Sequence, residues 1–501
     1  MKKNVVILFH PAIQNQYYKC IPYAVLYLER MIRDLDVEII IIDENVEKDY
    51  EPIIQNVKDR ILFVGISAII GSQLLGGIRF ARFIKSLNKE NSVLWGGWHS
   101  TLLPEQTLKE DFIDFVITGQ GEAAIRAFTV AILNQTDYRT ISNLCYKEDS
   151  ELIINPTNAF CNYNVYPPVD YTLIDVNNYI YYPAFAKKSI VYFASHGCPY
   201  NCNFCAMATF FKQQWIPGNI DTIIKDLKYF KDNAGIDSVF FQDDNFFTNK
   251  EFSLKLSIAF IDAGLNLLWE TWSHAGGFIK TFNDEDVALI YKAGCRQIIA
   301  GSESGSQEVL DLVNKKLKVS DNLDFVTLLK RHQITPFFSI MLCFPDNPES
   351  ELDATFEMIR QAKLIDETLK IYFSFYTPYP GTKMFELASV HDFQMPDSLA
   401  GWAAHTFDDF HAPWWTEKYD KKLNLYAHFY IPFSNPYNYK NFPRPPFVKG
   451  VLFILNKLFY PFIKLRFKTN NFKYPVEARL FLFLLKCYNK VFGKRYKLYP
   501  F

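Results

Sequence analysis

"SIVYFASHGCPYNCNFCA", residues 189–206, runs an apolar strand pattern straight into three cysteines within eight positions, Cys198, Cys202 and Cys205. A disulfide uses two thiols and a closed structural zinc site uses four ligands, so three is an awkward number. Thiolates select zinc, copper(I) or iron–sulfur clusters. His196 is the local candidate for a fourth zinc ligand, but it stands too close to Cys198 for the usual finger spacing. A cubane [4Fe–4S] cluster held by three cysteines leaves one iron with an open position, and the spacing favours that reading over zinc. Unrelated buried thiols are the remaining alternative.

Outward from this stretch, Ser189 begins a series of strand patterns: "SIVYFAS", "DSVFFQDD", "LLWETWS", "RQIIAGSE", "PFFSIMLCF" and "KIYFSFYTP". Amphipathic stretches such as "IDTIIKDLKYFKD" and "ELDATFEMIRQAKLI" lie between them. Six strand–helix units of this kind predict a barrel or partial barrel over residues 189–400. The cysteines then fall in the loop after its first strand, on the face where such barrels carry chemistry.

Residues 1–136 also alternate, with continuous apolar runs at "NVVILF", "VEIIIID", "ILFVGISA", "SVLWGG" and "DFVITG". Such runs predict a parallel, doubly wound sheet. No G-x-G-x-x-G follows the first strand, which argues against a dinucleotide fold. Small residues cluster instead after later strands, at "GISA" (65–68), "WGGWHS" (95–100) and "TGQGE" (118–122). These are carboxyl ends of strands, where open parallel sheets bind ligands. Residues 137–188 are rich in Tyr, Asn and Pro and read as an ordered linker, because their aromatics need burial. Residues 401–501 read as an aromatic and basic helical region.

With 501 residues, two or three domains are expected. A formal net charge of -1 excludes no small-molecule role but gives no footprint for nucleic acid. Aromatic content of 17% predicts large apolar pockets or a greasy surface. The amino-terminal apolar run is brief and reads as a buried strand rather than a signal peptide. Nine cysteines without a secretory signal predict a reducing compartment, the cytoplasm. From Phe447 onward twelve Lys or Arg stand against one acid, Glu477. No uncharged apolar run there is long enough to span a bilayer, so the tail reads as a helical cap or as a peripheral contact with the inner membrane face.

C-x3-C-x2-C with Phe204 before its last cysteine resembles the signature of the radical S-adenosylmethionine enzymes. "FFQDDNFF" (240–247), "AGSESGS" (300–306) and "YTPYPGT" (376–382) resemble that family's strand endings in order and spacing. The first domain is similar to the cobalamin-binding domain that precedes the barrel in one large subgroup, at "GISAIIGSQ", "LWGGWHSTLLPE" and "VITGQGEAA". It departs in one respect: after the first strand the chain reads "LFHPAIQNQYYKC", without the D-x-H-x-x-G motif that supplies an axial histidine to cobalt. The resemblance implies a flavodoxin-like cobalamin-binding domain, then a partial (β/α)6 barrel. It implies that Cys198, Cys202 and Cys205 hold a [4Fe–4S] cluster whose open iron is chelated by S-adenosylmethionine. One electron, from a donor such as flavodoxin or ferredoxin, then yields a 5′-deoxyadenosyl radical. Phe204 would pack near the adenine, Asp243 or Asp244 would meet the ammonium, and Glu303 and Ser304 the ribose or carboxylate. Ser67, Gly96, Gly97, Trp98, His99, Gly119 and Gly121 would contact cobalamin. No side chain is assigned a catalytic role. The expected activity is methylation of an unactivated carbon in an apolar, lipid-like or natural-product small molecule. A cyclase or oxidoreductase without methyl transfer, and a non-catalytic iron–sulfur or zinc module, are the alternatives.

Overall fold

The computed structural model describes residues 3–13, 19–149, 151–406, 410–436 and 446–492. Its first sheet contains β1 (Asn4–His10), β2 (Val37–Asp43), β3 (Ile61–Ser67), β4 (Val93–Gly96), β5 (Phe115–Ile117), β6 (Leu144–Glu148) and β7 (Glu151–Ile154). The spatial order is β2-β1-β3-β4-β5-β6-β7, with the first five strands parallel. β1 is an interior strand, and Val5 to Phe9 are fully buried because helices cover both faces. Helices Tyr23–Glu29, Gln73–Leu87 and Glu122–Asn134 follow β1, β3 and β5. Strand order reverses between β1 and β3, which opens a crevice at the carboxyl ends of these strands.

The segment expected to be a linker begins with structure of its own. β6 and β7 form an antiparallel hairpin that extends the first sheet through β5. Each strand is only four or five residues long, too short for a two-residue period to stand out in the sequence. The following Tyr-rich stretch is held by short turns in which Asn162, Asp170 and Asp175 accept backbone N–H groups two residues on. Three of its tyrosines, Tyr171, Tyr179 and Tyr181, are buried: Tyr171 donates to Asp226, as does Tyr192 of the next strand, and Tyr179 donates to Asp43 at 2.9 Å.

The second sheet contains β8 (Ser189–Tyr192), β11 (Ser238–Phe241), β12 (Leu268–Ser273), β13 (Cys295–Glu303), β14 (Thr335–Leu342) and β15 (Lys370–Phe375). All six are parallel and lie in sequence order, so each helix crosses to the next strand. β8 and β15 do not pair, and the result is an open half-barrel. Two short strands, β9 (Ser195–Gly197) and β10 (Trp215–Pro217), pair with each other outside it. The carboxyl-terminal region folds back on both domains. Trp402 is buried in the core of the first domain and donates its indole N–H to Gln106 at 2.8 Å. Trp414 donates to the Cys343 carbonyl at the end of β14. Trp402 is fully buried and Trp414 partly buried; residues 407–409 between them lie outside the described residues.

Candidate active site at the domain boundary

The cysteine loop is tied at both ends. It leaves β9 and returns through β10, with Gly197 opposite Trp215 and Ser195 opposite Pro217. Gly197 has φ +82°, and a Cβ there would lie 2.3 Å from the Gln214 carbonyl oxygen, so only glycine fits. Between these ends the loop is pinned to the chain after β13. Asn203 donates to the carbonyls of Val313 (2.9 Å) and Leu312 (2.7 Å), and Asn314 donates to the Asn201 carbonyl (2.7 Å). Tyr200, inside the motif, stacks on His274 at 4.1 Å. His274 donates Nε2–H to the Lys315 carbonyl and accepts the Gly277 N–H at Nδ1. Those two bonds fix a neutral tautomer, and burial lowers the ring's pKa to about 4.

Cys202 is buried, and Cys198 and Cys205 are partly so. Burial pushes the Cys198 thiol up to about 11 and Cys205 up to about 12. Lys315 opposes the burial effect at Cys198 and Cys202. Metal binding supplies the rest of the drive to thiolate. Among the described residues no three His, Cys, Asp or Glu side chains converge on one ion. His196 faces other partners. Its ring lies edge-on to Tyr163 at 4.6 Å and beside Tyr27, whose hydroxyl is 3.4 Å from Nε2.

Lys315 and Glu303 were not linked by any pattern in the sequence, yet they form a buried ion pair of 2.6 Å beside the loop. Glu303 ends β13 with φ +53°, a left-handed conformation unusual for glutamate. Burial pulls Lys315 down, but Glu303 and the thiols of Cys202 and Cys198 outweigh it and hold the ammonium above its ordinary range. Its Nζ lies 5.9 Å from the centre of the Phe204 ring, which also packs near Phe344. Lys315→Met removes one partner of a buried pair, which costs about 3–5 kcal/mol. Lys315→Met should therefore unfold at lower denaturant and hold less iron after reconstitution, with Lys315→Arg intermediate.

The two adjacent aspartates part company. Asp243 turns inward, accepting Ala194 N–H at 2.9 Å and the Ser195 hydroxyl at 2.5 Å, and so ties β11 to the end of β8. Burial pushes its carboxyl up to about 7. Asp244 accepts Gly197 N–H at 2.8 Å and lines the cavity described below; burial pushes it up to about 6. Ser304 is buried, accepting Ser306 N–H and lying 3.3 Å from the Thr355 hydroxyl.

A cavity of about 330 Å³ opens between the domains. Ser67, Gly96, Gly97, Trp98, Gly119 and Gly121 line it from the first domain. His196, Met207, Phe210, Phe211 and Asp244 line it from the second, all on or next to the cysteine loop and β11. Gly97 has φ +106°, and a Cβ there would lie 2.2 Å from the Ala68 carbonyl oxygen. Gly96 differs. Its Cβ would come no nearer than 3.8 Å to any neighbour, so the protein itself does not demand glycine there. The bare backbone leaves room for a ligand, which fits the approach of a broad, flat ring such as a corrin. His99 is not in the cavity. It is buried with Nδ1 3.1 Å from the Thr107 hydroxyl and its ring 6.1 Å from Trp402. Burial lowers it to about 4. Of the residues expected at cobalamin, His99 is the one that does not line this cavity.

Tyr27 and His196 are among the cavity groups that sequence reasoning missed. Tyr27 projects from the helix after β1, where it reads as one more core aromatic, and His196 was weighed only as a zinc ligand. His196 is held neutral, with burial and then Arg30 lowering its pKa to about 4. Arg30 itself pairs with Glu122 on the cavity wall at 3.2 Å and lies 4.5 Å from the Tyr27 ring centre. Part of the segment where an axial-histidine motif would stand, residues 14–18, lies outside the described residues.

Comparison with known proteins agrees with this division. The B12 binding domain matches residues 10–129 and the radical SAM superfamily matches residues 192–359. The chain thus contains an amino-terminal B12-binding domain followed by a radical SAM domain. An uncharacterized methyltransferase of Pyrococcus horikoshii is 28% identical over 398 residues, 77% of this chain and 84% of that protein. An anaerobic magnesium-protoporphyrin IX monomethyl ester cyclase of a Synechocystis species is 24% identical, over 62% of this chain and 61% of the cyclase. Among solved structures, the radical S-adenosylmethionine methyltransferase TsrM from Kitasatospora setae, with cobalamin and a [4Fe–4S] cluster bound, superposes with a TM-score of 0.67. It shares 15% identity, and the match covers 91% of this chain and all of TsrM, which establishes the common fold.

Proposed function

We propose that the chain is a cobalamin-dependent radical S-adenosylmethionine methyltransferase acting on an unactivated carbon of an apolar or natural-product small molecule. The observation that carries this reading is the single cavity bounded on one wall by Gly96 and Gly97 and on the other by His196 and Asp244, next to the cysteine loop. A cluster on Cys198, Cys202 and Cys205 with S-adenosylmethionine would supply a hydrogen-abstracting radical, and cobalamin would supply the methyl group. The residues' part is to position and to exclude water. Asp244 offers a carboxylate to a cationic ligand group, Phe204 and Lys315 wall the loop, and Phe210 and Phe211 dry the cavity.

The reductant is of the flavodoxin or ferredoxin type, and the protein works in the cytoplasm at the inner face of the membrane. The relative named as a cyclase supports a second reading, ring closure or oxidation without methyl transfer. Product analysis of anaerobically reconstituted protein separates them. Methyl transfer yields S-adenosylhomocysteine together with 5′-deoxyadenosine, whereas cyclisation or oxidation yields only the latter. Zinc binding without iron would sink both and leave the non-catalytic module.

A further inference from the structure

We propose that the two carboxyl-terminal helices, Pro446–Thr469 and Val476–Phe492, form a docking face for an anionic lipid bilayer. The first helix carries two apolar stripes. One is spent in the core, where Ile463 and Phe467 are buried and Phe459 packs against Phe429, Phe433 and Phe481. The other contains Ile454, Leu458, Phe462 and Leu465, at spacings of four, four and three residues, and each is more than half exposed. That is one face of a helix turned to the outside. On the second helix Val476, Leu480 and Phe483 repeat the pattern, again more than half exposed. Apolar side chains at helical spacing on two successive helices are a patterned surface feature, not scattered single residues.

Charge identifies the occupant. Between Pro446 and Phe492 nine Lys or Arg stand against Glu477 alone, and Glu477 is taken by Arg466. Lys457, Lys464 and Lys468 border the outer stripe of the first helix, and Arg479, Lys486 and Lys490 that of the second. Of these six, only Lys464 has a carboxylate partner among the described residues, Glu367 at 2.8 Å. A second copy of the same face would bring like charges together, because a two-fold contact sets each patch against itself. An anionic headgroup layer neutralises the cations while its acyl boundary receives the apolar stripe. Among the described residues no helix is long and apolar enough to cross a membrane, so the helices lie on the surface rather than span it.

The test is flotation of the full chain with phosphatidylcholine vesicles, with and without 30% phosphatidylglycerol, at low and high salt. The expected result is binding to the anionic vesicles that falls at least tenfold in high salt, in Lys486→Glu/Lys490→Glu, and in Leu458→Glu/Phe462→Glu. All these positions are exposed, so the variants should keep the parent's unfolding curve. Three outcomes would overturn the proposal: no flotation with anionic vesicles, equal flotation with neutral ones, or concentration-dependent dimers that the same substitutions abolish.

Discussion

Cys202→Ala will not hold an iron–sulfur cluster after anaerobic reconstitution and will form no 5′-deoxyadenosine, whereas Cys295→Ala will do both. The contrast follows from where the thiols stand. Cys295 begins β13 inside the core, where among the described residues its side chain makes a weak contact to the Gln297 carbonyl. Its loss costs a small packing defect. Cys202 sits in a loop whose two ends are clamped by β9 and β10 and whose middle is anchored to residues 312–314. The local imidazole, His196, is already engaged with Tyr27 and Tyr163 and is not free to replace a lost sulfur. Removing a metal's outer partner costs about 10–100-fold, and removing one of three ligands costs more. Iron content and visible absorbance measure the first effect and product chromatography the second. Retention of a normal cluster by Cys202→Ala would place the metal elsewhere and undo the reading of the loop.

How much of this was legible in the sequence depends on the range of the interaction. Most of the eleven parallel strands that carry the two main sheets are rich in apolar residues, because strands covered on both faces are buried; β12 and β13 also carry buried polar groups, Glu270 and Gln297. The cysteine spacing and the small residues at strand ends were equally plain, and Ser67, Gly96, Gly97, Trp98, Gly119 and Gly121 do meet in one cavity. The hairpin of β6 and β7 was not legible, since four or five residues carry too little periodicity. Nor was the Lys315–Glu303 pair, twelve residues apart on opposite sides of a helix and turn, or the stacking of His274 on Tyr200 across more than seventy residues. Those contacts are set by how β12 and β13 deliver their ends to the same face, which no local pattern records. The Asp243–Asp244 pair shows the same limit at the smallest scale. Two identical neighbours take opposite directions, because alternate residues at a strand end point to opposite sides.

Gly96→Leu is expected to fold and load its cluster but to lose cobalamin. Gly96 ends β4 in ordinary strand conformation, so the backbone accepts a side chain there. The new Cβ would stand 3.8 Å from the Ile117 carbonyl oxygen and 3.9 Å from that of Ile66, an unstrained fit. The rest of the leucine must then enter the cavity of about 330 Å³. Overpacking of a fitted site costs about 1–3 kcal/mol. For a ligand that cannot reshape itself this corresponds to a roughly 5- to 150-fold weaker affinity. Gly97→Ala provides the opposite control. Its Cβ would collide with the Ala68 carbonyl at 2.2 Å in a backbone conformation of φ +106° that alanine resists, so the loop itself is disrupted and stability falls. The pair of variants separates room for a ligand from demands of the chain, by corrin absorbance at fixed free cobalamin and by denaturant unfolding. If Gly96→Leu binds cobalamin as the parent does, the cavity is not the corrin seat, and the methyl-transfer proposal loses its geometric basis. The assignment of the three cysteines would stand unaffected, since it rests on a loop that Gly96 does not touch.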